Sequence, residues 1–112
     1  MRIALLGAGH IGRAIARLLG RSGDYEVTVI DHSAEALAAL EGEPVALERA
    51  ETGEAAALAA VLRGQQAVVN ALPYHLATLA ATQARAAGCH YFDLTEDVAA
   101  TRAIKSLAAD AP

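Results

Sequence analysis

The sequence of 112 residues contains one cysteine, Cys89, so it cannot form an internal disulfide. It also lacks any apolar run of the roughly 18 residues that a membrane-spanning helix needs. Positive charge is scarce, with nine lysines and arginines against thirteen acidic residues, and the net charge of −4 argues against a nucleic-acid partner. These absences predict a protein of the reducing cytoplasm that contacts neither nucleic acid nor membrane.

Several signatures of catalytic sites are missing as well. The sequence has no C-x-x-C pair, no metal-ligand spacing, no G-x-S-x-G and no G-x-x-x-x-G-K-[ST]. Tyr-x-x-x-Lys is also missing, because Tyr74 and Tyr91 are each followed four residues later by threonine. Metal-dependent, hydrolase, P-loop and short-chain dehydrogenase interpretations therefore find no support. Cys89 is predicted to be a small buried side chain.

Apolar runs alternate with amphipathic segments along the whole chain, and the hydrophobic content of 54% predicts elements buried on more than one side. Strands are predicted at 2–6, 25–30, 45–48, 66–70 and 90–94, and helices at 10–21, 34–41, 53–63, 74–87 and 96–109. The first helix has a predicted apolar stripe of Ile11, Ala14, Ile15, Leu18 and Leu19.

This alternation with short connections requires parallel strands joined by right-handed crossovers. The length fits a single domain, and no linker or repeat divides it. We therefore expect one α/β domain over residues 1–112, a Rossmann-type doubly wound parallel sheet between two helix layers. Its predicted strand order is 3-2-1-4-5.

The first connection contains the pattern G-x-G-x-x-G at Gly7, Gly9 and Gly12. It follows a predicted strand and opens a predicted helix, the context in which this pattern binds the pyrophosphate of a dinucleotide. The first glycine permits a tight turn, the second a close approach of the pyrophosphate, and the third close packing of helix and strand. The loop is completed by Ala8, His10 and Ile11. Arg13 could reach a phosphate, but a surface charge is the simpler interpretation.

Asp31 ends the second predicted strand about 20 residues further on, where an acidic side chain accepts hydrogen bonds from the adenosine ribose. A carboxylate there repels a 2′-phosphate, and the next residues, His32 and Ser33, supply no arginine to bind one. The sequence therefore predicts NAD in preference to NADP, with His32 beside Asp31 in the site. The alternative is that Asp31 is a loop residue in solvent or a helix cap.

A second part of the site is predicted at the end of the fourth strand, beside the first strand. It consists of Asn70, Ala71, Leu72 and Pro73. This edge of an open parallel sheet lines the cofactor crevice, so these residues are predicted to border the nicotinamide ribose. Tyr74 and His75 begin the next helix, either as groups on the substrate side or as ordinary packing, and no catalytic residue is assigned.

Four stretches together resemble the amino-terminal cofactor domain of the saccharopine dehydrogenase-like family. They are Ile3 to Gly12, Val27 to Asp31, Ala67 to His75 and Gly88 to Leu94. The resemblance implies NAD(P)-linked chemistry at an amine or imine carbon of an amino-acid-like substrate. It also implies that the three glycines and Asp31 contact the cofactor, with Asn70 to Pro73 lining the crevice.

Members of this family resemble the chain only over their first part, and a substrate-binding domain follows. We therefore expect an excised cofactor domain whose substrate domain is absent from this chain and which does not turn over substrate in isolation. A homodimer is left open. The alternative function is a nucleotide-sensing regulatory domain of a potassium transport system, which shares the strand, the glycine loop and the acidic residue. The stretch Asn70 to His75 favours the enzyme.

Overall fold

The structure is a computed structural model that describes residues 1–94. Strands and helices alternate in this part of the chain as β1 (Arg2–Leu6), α1 (His10–Ser22), β2 (Glu26–Asp31), α2 (Ala34–Ala38), β3 (Ala46–Arg49), α3 (Ala55–Leu62), β4 (Ala67–Asn70), α4 (Ala77–Ala86) and β5 (His90–Asp93). The predicted helix at 96–109 lies outside the described residues.

The strands form one parallel sheet in the order β3-β2-β1-β4-β5, which confirms the predicted doubly wound topology. Strand β1 is central and pairs with β2 on one side and β4 on the other, so that Leu6 is level with Ile30 and with Asn70. The carboxyl ends of these three strands therefore lie side by side, and this edge is where an open α/β sheet binds ligands.

Two apolar layers cover the faces of the sheet. Leu58 and Leu62 of α3 pack on one face, and Ala16 of α1 and Leu37 of α2 pack on the other. Every residue of β1 after Arg2 is buried, as expected for a central strand covered on both faces. Strand β3 is exposed along its length because it is an edge of the sheet. None of the helices in residues 1–94 is long and apolar enough to cross a membrane.

Helix α1 packs through small residues, and the apolar stripe predicted for it was right at Ile15 and Leu19, which pack against the core, but wrong at Ile11 and Leu18. The buried residues are Gly12, Ala16 and Gly20, whereas Ile11 and Leu18 are 38% and 71% exposed. A Cβ on Gly20 would lie 2.7 Å from a methyl carbon of the Val45 side chain. The helix lies this close to its neighbours only because glycine has no side chain, and hydrophobic periodicity gives glycine no weight.

The fourth predicted helix, at 74–87, divides into a 3₁₀ turn, Tyr74–Leu76, and α4. Pro73 precedes the turn and has no N–H of its own, and its carbonyl oxygen accepts Leu76 N–H at 2.9 Å. Tyr74 and His75 therefore belong to the turn and lie outside α4.

Candidate functional site

The three glycines shape the connection between β1 and α1 in different ways. Gly7 has a φ of +102°, and its N–H donates to the carbonyl oxygen of Ile30 at 2.8 Å. A Cβ on Gly7 would lie 2.7 Å from the carbonyl oxygen of Ala71, and one on Gly12 would overlap the carbonyl oxygen of Gly7. A Cβ on Gly9 would meet no atom within 4 Å. Packing therefore requires Gly7 and Gly12, whereas the space at Gly9 is open to a ligand.

Helix α1 presents its amino terminus to this open space. Gly9 is the N-cap residue and offers no side chain to cap the helix, and the first turn contains no acidic residue. The first helical hydrogen bond joins Arg13 N–H to the carbonyl oxygen of Gly9 at 2.9 Å. The N–H groups of the first turn have no partner within the helix, and the helix dipole adds positive potential. This arrangement suits the anionic pyrophosphate of a dinucleotide.

Asp31 is fixed between its own strand and the glycine loop. Its Oδ2 accepts Ala8 N–H at 2.7 Å and its Oδ1 accepts Ser33 N–H at 2.8 Å, and the residue is only 7% exposed. Asp31 is neither a loop residue in solvent nor the cap of α2, because Ser33 Oγ caps that helix by accepting Ala36 N–H at 3.2 Å. Each carboxylate oxygen retains a second lone pair, which a ribose hydroxyl can use.

Two basic side chains accompany Asp31 at the end of β2. His32 Nδ1 lies 3.4 Å from Asp31 Oδ1 on an exposed side chain. Arg49 is the register partner of Asp31 on β3, and its Nε donates to the carbonyl oxygen of His32 at 3.0 Å. The residues that follow Asp31 in sequence include no nearby arginine, and Arg49 becomes its neighbour only through the register of β2 with β3. The pairing of β2 with β3 is the signal that identifies it.

The residues predicted after β4 take two different positions. Ala71, Leu72 and Pro73 border a cleft beside the glycine loop, whereas Asn70 is fully buried and does not border it. Asn70 Oδ1 accepts Leu72 N–H at 3.0 Å, and Ala71 N–H donates to the carbonyl oxygen of Leu6 at 2.8 Å. Asn70 was predicted to border the cleft. In the structure its buried side chain instead supports the segment after β4, residues Ala71 to Pro73.

A chain of side-chain hydrogen bonds continues behind Asn70 and joins the ends of β4 and β5. Asn70 Nδ2 donates to Tyr91 Oη at 3.0 Å, and Tyr91 Oη donates to Asp93 Oδ2 at 2.6 Å. The carbonyl oxygen of Ala77, at the start of α4, lies 3.3 Å from the same hydroxyl. Burial, reinforced by the hydrogen bond to Asp93, raises the pKa of Tyr91.

An open cleft of about 830 Å³ is lined by the glycine loop, the end of β2 and the segment after β4. This volume lies within the range of small-molecule and cofactor sites. The predicted cofactor residues that border the cleft are Gly7, Ala8, Gly9, His10, Ile11, Gly12, Asp31, His32, Ala71, Leu72 and Pro73. The fold thus brings together two predicted regions that are far apart in sequence.

Other residues border the cleft without having been assigned to it. They are Arg13, Ser33, Ala36, Thr52, Tyr74, His75, Leu76 and Leu94. Arg13 is half-buried and donates from Nη1 to the carbonyl oxygen of Ala8 at 3.1 Å, so it stabilises the glycine loop and is more than a surface charge. Thr52 is buried at 2% exposure and belongs to no motif, so the sequence offered no signal for it.

The cleft offers different chemistry at its two ends. One end has the Asp31 carboxylate as an acceptor for hydroxyl groups, and the middle has the N–H donors of α1. The other end has the segment after β4 and the side chains of Tyr74 and His75, whose rings meet edge to face with centroids 6.1 Å apart. Among residues 1–94, no three His, Cys, Asp or Glu side chains form a group that could hold a metal ion.

Solved structures share this architecture. Saccharopine dehydrogenase (L-Glu forming) from Saccharomyces cerevisiae matches with a TM-score of 0.77 and 21% identity, over 91% of this chain and 23% of that one. A Rossmann-fold NAD(P)-binding family protein from Shigella flexneri matches with a TM-score of 0.69 and 17% identity, over 80% of this chain and 49% of that one.

Uronate dehydrogenase from Agrobacterium tumefaciens, solved in complex with NAD, matches with a TM-score of 0.58 and 20% identity, over 78% of this chain and 37% of that one. These similarities show the Rossmann fold. The chain spans less than half the length of each of the three proteins, from 23% to 49%.

The family model of the saccharopine dehydrogenase NADP binding domain matches residues 3–112, almost the whole chain. The match confirms the resemblance indicated by the glycine loop, by Ala67 to His75 and by Gly88 to Leu94. The cleft, with its uncapped helix terminus and its fixed carboxylate, lies at the carboxyl edge of the sheet, where open α/β folds bind ligands. The chain therefore belongs to the family of saccharopine dehydrogenase NADP binding domains.

Proposed function

We propose that the cleft binds a nicotinamide dinucleotide in one orientation. The adenosine ribose lies at Asp31, the pyrophosphate at the amino terminus of α1, and the nicotinamide half along Ala71 to Pro73. The observation that carries this proposal is the open space at Gly9, where an uncapped helix terminus faces a cleft that also contains the fixed carboxylate of Asp31. A pyrophosphate next to a ribose supplies the charge and the hydroxyl donors that these groups lack.

The preferred cofactor in this proposal is NAD. The carboxylate of Asp31 is held by two backbone N–H donors and cannot swing away from a 2′-phosphate without losing both. Arg49 is the group that would favour NADP, through its charge and its Nη groups, while its Nε donates to the carbonyl oxygen of His32. Asp31 borders the cleft and Arg49 does not, so we expect repulsion by the fixed carboxylate to outweigh attraction by the arginine.

We further propose that the domain serves a cytoplasmic oxidoreductase acting on an amine or imine carbon of an amino-acid-like substrate. Its membership of the saccharopine dehydrogenase family supports this substrate class. Turnover requires a second, substrate-binding domain, because the chain spans only 23% of the yeast saccharopine dehydrogenase that it resembles. In isolation the 112 residues bind cofactor without catalysis.

Calorimetric titration of the 112-residue chain with NADH, NADPH, AMP and ATP tests the proposal. NADH is expected to bind more tightly than NADPH, because Asp31 repels the 2′-phosphate, and more tightly than AMP or ATP, because these lack the nicotinamide half. The same or tighter binding of AMP or ATP would contradict the proposal and support the nucleotide-sensing regulatory function. Tighter binding of NADPH would overturn the cofactor preference and leave the dinucleotide site intact.

A further inference from the structure

The segment after β4 is anchored by the buried side chain of Leu72 and by Ala71 N–H, which donates to the carbonyl oxygen of Leu6 at 2.8 Å. Its polar side-chain anchor is Asn70 Oδ1, which accepts Leu72 N–H at 3.0 Å. The segment also lies directly against the glycine loop, because a Cβ on Gly7 would lie 2.7 Å from the carbonyl oxygen of Ala71. Any displacement of Asn70 is therefore transmitted through Leu72 to the wall of the cleft.

The orientation of the Asn70 amide depends in turn on two residues that do not border the cleft. Asp93 Oδ2 accepts the hydroxyl hydrogen of Tyr91 at 2.6 Å, so a lone pair of Tyr91 Oη is directed to accept from Asn70 Nδ2. With Nδ2 engaged in this way, Oδ1 must face Leu72 N–H. Without the Tyr91 hydroxyl, the Asn70 amide can flip. Its Nδ2 would then face Leu72 N–H, donor against donor, and the hydrogen bond to Leu72 would be lost.

We infer that Tyr91 and Asp93 are positioning residues for the nicotinamide end of the cleft, acting through Asn70 on Ala71 to Pro73. The inference rests on the proposed dinucleotide function for its ligand, but the geometry it describes exists without ligand. The geometry supports it, because one series of hydrogen bonds joins Asp93, Tyr91 and Asn70 to Leu72 N–H.

The adenosine end of the cleft does not depend on this chain of hydrogen bonds. Asp31 is held by Ala8 N–H and Ser33 N–H, and none of these three residues contacts Asn70, Tyr91 or Asp93 through a hydrogen bond that the structure records in residues 1–94. Disturbing Tyr91 should therefore affect the two ends of a dinucleotide unequally. General loss of packing would affect both.

The test compares Tyr91→Phe with Tyr25→Phe in the 112-residue chain. Tyr25 lies at the amino end of β2, away from the cleft, so its variant controls for removal of a tyrosine hydroxyl. In Tyr91→Phe, the Kd for NADH is expected to rise about three- to tenfold, the effect of loosening one hydrogen-bonded anchor. The Kd for AMP is expected to stay within about twofold in both variants.

Amide hydrogen exchange of the ligand-free chain provides a second readout. In Tyr91→Phe, exchange of Leu72 N–H is expected to accelerate about tenfold, whereas Ala8 N–H, held by Asp31, exchanges as in the wild type. Asn70→Ala, which removes the acceptor itself, should show the same selective acceleration. This readout compares two amides within one molecule, so a moderate loss of global stability does not obscure it.

Equal weakening of NADH and AMP binding, or unchanged exchange at Leu72, would overturn the inference. The wild-type chain could fail to bind NADH while Tyr91→Phe still accelerates exchange of Leu72 N–H alone. That outcome would overturn the dinucleotide function and with it the ligand named here. Normal NADH binding by Tyr91→Phe would overturn the positioning role and leave the proposed function standing.

Discussion

The two ends of the cleft are built from different kinds of contact. At the end of β2, the Asp31 carboxylate both faces the cleft and bonds directly to the backbone of the glycine loop, at 2.7 Å from Ala8 N. After β4, the wall is backbone, and the polar side chains that hold it lie behind it on Asn70 and Tyr91. One end therefore combines recognition and support in a single residue, whereas the other separates them.

This difference determines which substitutions should affect both ends and which only one. A change in the glycine loop should affect the whole cleft, because Gly7 contacts the segment after β4 and Ala8 contacts Asp31. A change at Asp31 should act mainly on the adenosine end. A change on the far side of α1 should act on neither.

Gly12→Val is expected to have the largest effect. Its Cβ would overlap the carbonyl oxygen of Gly7, which is backbone and cannot move aside as a flexible side chain would. Overpacking typically costs about 1–3 kcal/mol, and because backbone is the obstacle here we expect a loss at the top of that range or above it, a large part of the stability of a small domain. Urea denaturation followed by circular dichroism measures the loss. Stability equal to that of the wild type would contradict the packing at this position.

Gly9→Ala is the matched control. Gly9 has an extended backbone, and a Cβ there would meet no atom within 4 Å, so the variant should keep the wild-type stability. NADH binding should nevertheless weaken, because the methyl group occupies the space left for the pyrophosphate. An unchanged Kd for NADH in this variant would place the pyrophosphate elsewhere.

Asp31→Ala is expected to weaken NADH binding by about 1–3 kcal/mol, because ribose hydroxyls and two backbone N–H groups lose their acceptor. AMP should lose affinity in parallel, in contrast to Tyr91→Phe. Calorimetry of both ligands measures this, and Asp24→Ala, in the exposed turn before β2, is the control. If Asp31→Ala bound AMP normally, the adenosine end would be misassigned.

Glu43→Gln is expected to have the smallest effect, and none on the Kd for NADH. Glu43 accepts hydrogen bonds from Arg21 at 2.8 and 3.0 Å and from Arg17 at 3.3 Å, on the side of α1 away from the cleft. The hydrogen bond from Arg21 lowers the pKa of Glu43, so its stabilising contribution is present at neutral pH and is lost as the pH falls through that lowered pKa.

Denaturant unfolding of the wild type and Glu43→Gln at a series of pH values checks this prediction. The variant should be slightly less stable at pH 7, and the difference should vanish in acid, because both proteins then carry a neutral side chain at position 43. Exposure of the arginines and screening by salt keep the difference small. A difference that grew in acid would contradict the sign.

The sequence predicted the strand order and the glycine loop because both depend on local pattern. Alternating strands and helices leave few topologies, and the glycines were recognised by their position between a strand and a helix. The buried face of α1 was predicted only in part: Ile15 and Leu19 pack against the core, but the closest contacts are those of Gly12 and Gly20 with other elements. The supporting role of Asn70 depends on Tyr91, which reaches it only through the pairing of β4 and β5.

The site shows the same division between local and tertiary information. Asp31 was assigned from its spacing, but its hydrogen bond to Ala8 is a tertiary contact that spacing does not encode. Arg13 was interpreted as a surface charge and Arg49 was not placed beside Asp31, because an arginine on a strand or helix surface carries no signal of its own. Their relation to the cleft follows only from the packing of β3 beside β2 and of α1 over the glycine loop.

The central claim is that one dinucleotide occupies both ends of the cleft. The most direct test is the change in backbone amide chemical shifts when the ¹⁵N-labelled 112-residue chain is titrated with NADH. The account predicts shifts at Gly9 and His10, at His32 and Ser33, and at Ala71 and Leu72, all with the same Kd. Shifts confined to the glycine loop and the end of β2, with Ala71 and Leu72 unchanged, would contradict it.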